Sequence, residues 1–131
     1  MEKEEIIKYW IDTSDRDYQT LEHLFQMGDY HWGLFLGHLT LEKLIKALFV
    51  KRTGDYPPRI HDLVRLAEKS GIKVSEEMLV NLELITRFNL SIRYPDYQQE
   101  IYRICNKEYS YNVLKSIDEA RAWLKKLIQE S

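Results

Sequence analysis

Apolar residues recur every three or four positions over most of this chain, which is the spacing of one face of an α-helix. The first such run predicts a helix over residues 4–27, which Gly28 ends. A second helix follows Asp29, a residue type favoured just before a first helical turn, and reaches residue 54. It is apolar on nearly every side, so we expect it to be the central, buried helix. The positions that set the period of the first helix are Ile7, Ile11, Ser14, Tyr18, Leu21 and Phe25.

The second half of the chain predicts one short helix and two long ones. They lie within residues 59–71, 75–93 and 107–129. Pro95 should stop the helix before it near Arg93, because proline cannot continue a helix and pushes its predecessor toward extended geometry. Residues 94–110 are the least regular segment, with at most a helical turn around residues 101–104. Since no stretch alternates as a strand does, the sequence predicts an all-α, up-and-down bundle of four long helices and one short helix, forming one domain over residues 1–131.

Composition and charge narrow the class of protein. The 131 residues are 44% hydrophobic, enough to bury a core, and include 19 basic and 21 acidic residues. The net charge of −2 argues against a nucleic-acid binder, which would carry a basic excess. A single cysteine, Cys105, excludes a disulfide framework within one chain. No apolar run approaches the roughly 20 residues that span a bilayer, and the acidic start lacks a signal-peptide pattern, so we expect a cytoplasmic protein that does not enter membranes.

Charged residues inside the apolar second helix are the main candidates for function. Glu42 and Lys46 lie four positions apart, the spacing of a helical ion pair. In a buried helix such a pair needs further polar partners. His61 and Arg93, with Tyr94 beside it, are the candidates. The sequence leaves two interpretations open, a polar network that fixes how the helices pack or a pocket for a ligand such as a phosphate.

A ridge of small residues marks the same helix. Gly33 and Gly37 lie four positions apart, and Leu41 continues the ridge. Glycine inside a helix costs about 1 kcal/mol relative to alanine, so two glycines at this spacing indicate that another backbone approaches closely. That neighbour is either another helix of the chain or a second copy of it. In the second case Gly33, Gly37 and Leu41 form a dimer interface.

The sequence contains little that favours metal binding, nucleophilic catalysis or a phosphate-binding loop. His38 and Glu42, with His23 from the first helix, have spacing that would suit metal ligands, but the helical two-histidine motif of zinc enzymes is missing, so we expect no metal. The sequence contains neither a glycine-flanked serine elbow nor a glycine-rich phosphate loop. Nothing near Cys105 in sequence activates its thiol. We therefore expect no cofactor.

Three stretches together resemble the HEPN family, the higher eukaryotes and prokaryotes nucleotide-binding domain. They are GDYHWGLFLGHLTLEKLIKALFV with Glu42 and Lys46, PPRIHDLVRLAEKSGI with His61, and SIRYPDY with Arg93 and Tyr94. They occur in the family's order between residues 28 and 97. The resemblance implies a five-helix bundle, a tendency to dimerise, and frequent pairing with a small, separately encoded nucleotidyltransferase. Some members of the family are toxins that cut RNA.

The RNA-cutting members carry an arginine followed, after four to six residues, by a histidine. Arg93 is the natural candidate for this arginine, but no histidine follows it, since His61 is the last in the chain. Arg16 and His23 have six residues between them, yet they lie on the first helix, whereas the family's motif comes late in the bundle. Because histidine is the usual proton donor and acceptor in metal-independent RNA cleavage, we expect that this chain does not cut RNA.

These observations lead to one functional hypothesis and two alternatives. We expect a non-catalytic HEPN-type module that binds a nucleotide, a partner nucleotidyltransferase in a toxin–antitoxin-like pair, or both. The binding cleft would lie around Glu42, Lys46, His61 and Arg93, with Tyr94 at its edge. The first alternative is a ribonuclease toxin that uses the arginine and histidine of the first helix. The second is a homodimer with a purely structural role.

Overall fold

Six helices and no strand make up residues 2–131, the part of the chain that this computed structural model describes. They are α1 Lys3–Gln26, α2 Tyr30–Thr53, α3 Leu63–Lys69, α4 Glu76–Arg93, α5 Pro95–Ile104 and α6 Lys107–Glu130. The predicted all-α fold and the predicted four long helices, α1, α2, α4 and α6, are confirmed. None of the helices in residues 2–131 combines the length and the apolarity that crossing a lipid bilayer requires.

The central helix is α2, as its apolar sequence predicts. It packs against α1, α3, α4 and α6. Leu44, Ile45 and Leu48 of α2 are fully buried, together with Leu21 of α1 and Ile117 of α6. Burying one such side chain contributes about 1.5–3 kcal/mol relative to exposing it, so α2 holds its neighbours in place.

Local signals in the sequence set the helix ends. Ser75 and Asn106 accept hydrogen bonds from the backbone N–H groups of Met78, at 3.1 Å, and Tyr109, at 2.8 Å. These bonds satisfy N–H groups that have no partner within the first turn, and they start α4 and α6. After α1, Gly28 has a φ of +79°, a conformation in which a side chain would be strained.

The segment before α6 is more helical than the sequence predicts. Tyr94 ends α4, and the same residue, with φ −123° and ψ 114°, precedes the first turn of α5. Pro95 takes the first position of α5, where its missing N–H would have had no partner in any case. The predicted end of the fourth helix at Arg93 is confirmed. The helical turn predicted around residues 101–104 is the end of a complete helix, and the irregular segment predicted before it is wrong, because the proline that stops one helix begins the next.

The ridge of Gly33, Gly37 and Leu41 packs inside the chain. A Cβ atom on Gly33 would lie 2.6 Å from the ring of Phe25 in α1, and one on Gly37 would collide with Ile117 in α6. Leu41 is fully buried. These residues therefore do not present the dimer interface that the sequence allowed, because α1 and α6 already cover them. A second copy would reach the ridge only by displacing these helices.

Candidate functional site

Glu42 lies at the centre of a buried polar cluster on α2. Its Oε2 accepts a hydrogen bond from Nζ of Lys46 at 3.1 Å, and its Oε1 accepts one from Nδ1 of His61 at 2.9 Å. The side chains of Lys46 and Glu42 are only 11% and 6% exposed. Residues four apart share a helix face, so α2 alone places the first pair, whereas His61 comes from the loop between α2 and α3. Three of the predicted site residues therefore come together.

His38 binds the same loop from within the bundle. Its Nε2 lies 2.7 Å from the backbone oxygen of His61 and 4.0 Å from Oε1 of Glu42. Because a carbonyl oxygen only accepts hydrogen bonds, Nε2 of His38 carries a proton. Burial lowers the pKa of His38, which keeps this ring neutral near neutral pH. We refer to His38, Glu42, Lys46 and His61 as the Glu42 cluster.

The ring of His61 keeps one nitrogen available for a further partner. Its side chain is 42% exposed, far more than those of the other members of the Glu42 cluster. Nδ1 donates to the carboxylate, and Nε2 makes no hydrogen bond within residues 2–131. A neutral ring accepts a hydrogen bond through this atom, and a protonated ring donates one. His61 is therefore the member of the cluster that can contact a ligand.

Lys46 connects the Glu42 cluster to an aromatic pocket. Its Nζ lies 5.4 Å from the centroid of the Trp10 ring in α1, within the range of a cation–π interaction. Trp10 lines a pocket of about 180 Å³ together with Ile6, Tyr9 and Tyr56, and we refer to this site as the aromatic pocket. Tyr9 is 55% exposed and Tyr56 is 81% exposed. A largely aromatic surface thus lies next to a buried charge.

The aromatic pocket is not apparent from any single local pattern in the sequence. Ile6 and Trp10 lie four positions apart on α1, so their shared face is a signal that the sequence does contain. Tyr56 belongs to a loop, and the sequence does not fix where a loop turns. A second concavity, lined in part by Lys3 and Asp55, shares Ile6 and Tyr56 with the aromatic pocket. It extends the pocket toward charged side chains.

Arg93 and Tyr94, the other two predicted site residues, lie away from the Glu42 cluster. The α4 helix passes near the cluster at Thr86, whose Oγ1 accepts a hydrogen bond from the N–H of Leu63 at 3.3 Å. Arg93 lies seven residues farther along α4, roughly 10 Å along the helix axis. It is exposed and makes no ion pair within residues 2–131. Tyr94 lies near Tyr97, with ring centroids 6.2 Å apart.

The remaining candidates for catalysis or metal binding do not converge. Arg16 and His23 are both exposed on α1, two turns and roughly 10 Å apart along the helix. Burial raises the pKa of Cys105 to about 11, which disfavours the reactive thiolate. Within residues 2–131, no three side chains of His, Cys, Asp or Glu are grouped as ligands for a metal ion.

Comparison with known protein families adds independent support for the resemblance. A family model described as HEPN domain matches residues 7–127. No curated protein and no solved structure is significantly similar to the chain. Members of the matched family are generally nucleotide-binding or RNase-like. Because the match covers nearly the whole chain, this protein belongs to the HEPN domain family.

Proposed function

We propose that this HEPN domain is a non-catalytic module that binds a nucleotide, with the base in the aromatic pocket and the Glu42 cluster beside it. The position of Lys46 carries the proposal. The same ammonium group lies 3.1 Å from Oε2 of Glu42 and 5.4 Å from the centroid of the Trp10 ring. A few polar groups beside an apolar, aromatic concavity are the combination that small-molecule sites use.

The aromatic side chains suit a planar base. Tyr9 and Tyr56 are more than half exposed, so their rings are accessible for stacking. Stacking of a base on an aromatic side chain contributes about 1–3 kcal/mol. The aromatic pocket and the concavity beside it are each about 180 Å³. Together they reach the lower end of the size range of small-molecule sites, about 300–1,000 Å³.

The charges of the Glu42 cluster indicate which part of a nucleotide contributes most to binding. The carboxylate of Glu42 already accepts hydrogen bonds from Lys46 and His61, so its negative charge offsets the positive charge of Lys46. We therefore assign most of the affinity to the base and not to the phosphates. Nε2 of His61 supplies a hydrogen bond, and Lys3 is the cation of the adjoining concavity. In this proposal Arg93 and Tyr94 are not part of the nucleotide site.

In this proposal the protein does not cut RNA, and it binds a protein partner. No histidine follows Arg93, so the motif of the RNA-cutting members has no counterpart in its usual place. Arg16 and His23 have the required spacing in the sequence, but they lie on α1, whereas the family's motif comes late in the bundle. The family resemblance supports a separately encoded nucleotidyltransferase as the partner, in a toxin–antitoxin-like pair.

Isothermal titration calorimetry of the full chain with adenine, guanine, cytosine and uracil nucleotides tests the nucleotide proposal. We expect at least one base to bind, and Tyr56→Ala to weaken that binding by about tenfold or more, because a stacking contact is lost. Tyr94→Ala is the matched control, since it removes a 53% exposed tyrosine away from the aromatic pocket. Its affinity should equal that of the wild type. No binding of any nucleotide, or an equal loss in both variants, contradicts the proposal.

A further inference from the structure

A small concavity of about 140 Å³ lies where α2 begins, and we refer to it as the His31 pocket. The first residues of α2 and the end of α5 meet there. Asp29 and Cys105 line it together with the rings of Tyr30, His31, Trp32 and Tyr102. Sites for whole small molecules measure about 300–1,000 Å³, so this pocket suits a small chemical group.

One ring nitrogen of His31, a residue that is only 2% exposed, has no partner. Oγ of Ser91 donates its one proton to the backbone oxygen of Phe88 at 2.8 Å, so it accepts a hydrogen bond from Nε2 of His31 at 3.0 Å. Burial lowers the pKa of His31, which keeps the ring neutral near neutral pH. Nδ1 is then an acceptor without a donor within residues 2–131. An occupant that brings a hydrogen-bond donor would satisfy it.

Asp29 gives the His31 pocket its charge. Its exposed carboxylate precedes the first turn of α2 but makes neither a capping hydrogen bond nor an ion pair within residues 2–131. Cys105 is neutral, because burial raises its pKa to about 11. The peptide dipoles at the start of a helix act as about half a positive charge. The full negative charge of the carboxylate outweighs them, so the pocket favours a cation.

Two exposed aromatic rings flank His31. The ring centroid of Tyr102 lies 4.3 Å from that of His31, and the centroid of Trp32 lies 5.5 Å from it. Trp32 is 41% exposed and Tyr102 is 51% exposed. The face of such a ring attracts a cation that lies within about 6 Å of its centroid. The carboxylate, the unpaired acceptor and the rings thus favour the same kind of occupant.

We propose that the His31 pocket binds a primary ammonium group, either of a free amine or of a lysine side chain. The group carries the positive charge that the carboxylate of Asp29 and the aromatic rings favour. Its N–H groups donate hydrogen bonds to that carboxylate and to Nδ1 of His31. A quaternary ammonium group has the same charge but no N–H to donate, so it leaves Nδ1 without a partner.

This site is separate from the proposed nucleotide site. His31 lies at the start of α2, whereas Val50, beside the aromatic pocket, lies nineteen residues farther along the same helix. This separation corresponds to roughly 28 Å along the helix axis. An amine in the His31 pocket therefore leaves the aromatic pocket open, and either proposal can fail without the other.

Titration of the isotope-labelled full chain with butylammonium, followed by nuclear magnetic resonance, tests the proposal. We expect the backbone amide signals of Gly28 and Tyr30, which line the pocket, to shift and to saturate at millimolar concentrations, as is typical of a ligand with few atoms. Butyltrimethylammonium should bind more weakly, and uncharged butanol should cause no saturable shift. Nα-acetyl-lysine amide and spermidine distinguish the two sources. Tighter binding of the first indicates a lysine side chain, and tighter binding of the second indicates a free amine.

Three variants locate the binding. Asp29→Asn removes the charge but keeps a residue type that suits the position before a helix, and it should weaken butylammonium binding about fivefold, the upper end for an exposed ion pair. Trp32→Leu should weaken it about threefold, because a cation–π contact is lost. Asp96→Asn is the matched control, since it removes an exposed carboxylate in the first turn of α5 that does not line the pocket. Its affinity should equal that of the wild type.

The same spectra show whether each variant remains folded. The absence of a saturable shift, or an equal shift with butanol, overturns the proposal. Equal affinity for the primary and the quaternary ammonium contradicts the role of Nδ1 of His31. Unchanged binding in Asp29→Asn, or an equal loss in Asp96→Asn, places the amine elsewhere.

Discussion

Nδ1 of His61 donates a hydrogen bond to Oε1 of Glu42 at 2.9 Å, and this contact fastens the loop between α2 and α3 to the middle of the central helix. The other carboxylate oxygen accepts a hydrogen bond from Lys46, so one acid compensates two basic groups. The same loop carries Tyr56, which lines the aromatic pocket. The polar network thus determines the position of a wall of the proposed nucleotide site.

Replacing Glu42 with Gln should strongly destabilise the fold. The substitution keeps the size of the side chain but leaves Lys46, which is 11% exposed, without its counter-charge. Removing one partner of a buried ion pair costs about 3–5 kcal/mol. We expect the free energy of unfolding, measured by urea denaturation, to fall by about 3 kcal/mol.

The matched control for this substitution is Asp12→Asn. Asp12 also pairs with a lysine four positions away, Lys8, at 2.6 Å, but the two side chains are 52% and 77% exposed. An exposed pair of this kind contributes less than about 1 kcal/mol. Equal losses of stability in the two variants would show that burial does not increase the contribution of the Glu42 charge to stability.

Stability should fall as the pH drops below 6.5, the ordinary pKa of histidine, because two histidines are buried. Burial lowers the pKa of His31 and of His38 in the folded chain. As the pH falls through 6.5 the unfolded chain takes up protons that the folded chain does not, so unfolding is favoured. Above that pH both rings are neutral in both states, and their contribution to stability is fully present.

Urea denaturation at a series of pH values measures this effect. Each group contributes a slope of at most about 1.4 kcal/mol per pH unit. His38→Gln should show a shallower loss of stability in mild acid than the wild type. His23→Gln, which replaces an exposed histidine on α1, is the control and should not change the slope. An unchanged slope in His38→Gln would show that this ring does not resist protonation in the folded state.

Gly37→Ala should destabilise the bundle although alanine is the better helix former. The new Cβ would collide with Cδ1 of Ile117, and overpacking of this kind costs about 1–3 kcal/mol. Valine lacks that Cδ1 atom, so Ile117→Val should relieve part of the strain. In a double-mutant cycle the double variant should therefore lose less free energy of unfolding than the two single variants lose together. Additive losses would mean that the two residues do not touch as described.

The purified chain should not cut RNA. Arg16 and His23 are the two residues with the spacing of the family's cleavage motif, but they lie on the first helix, whereas the family's motif comes late in the bundle. We expect the wild type and His23→Ala to leave a labelled RNA equally intact in buffer without metal ions. Cleavage by the wild type that His23→Ala abolishes would instead support a ribonuclease.

The sequence predicted the long helices because apolar periodicity and helix-ending glycines are local signals. It also predicted the pair of Glu42 and Lys46, since the spacing of four residues is enough to place both on one face. The sequence does not reveal α5 as a separate helix, because Pro95 both ends α4 and occupies the first position of the next helix. Both are roles that proline takes at helix ends.

The parts of the site that the sequence did not predict depend on long-range placement. The prediction that Arg93 lies in the cleft is wrong because the sequence does not show which end of α4 lies beside Glu42. The aromatic pocket combines Trp10 with Tyr56, 46 positions later, and no local pattern connects them. The spacing of His38 and Glu42 is that of metal ligands, whereas Nε2 of His38 is hydrogen-bonded to the backbone oxygen of His61.

Photo-crosslinking with an azido-nucleotide, followed by mass spectrometry of the peptides, tests the location of the nucleotide site most directly. We expect the label on residues 3–10 of α1 or residues 54–62 of the loop, with labelling reduced in Tyr56→Ala and unchanged in Arg93→Ala. Labelling around Arg93 and Tyr94, or labelling that excess unmodified nucleotide does not suppress, would contradict binding in the aromatic pocket.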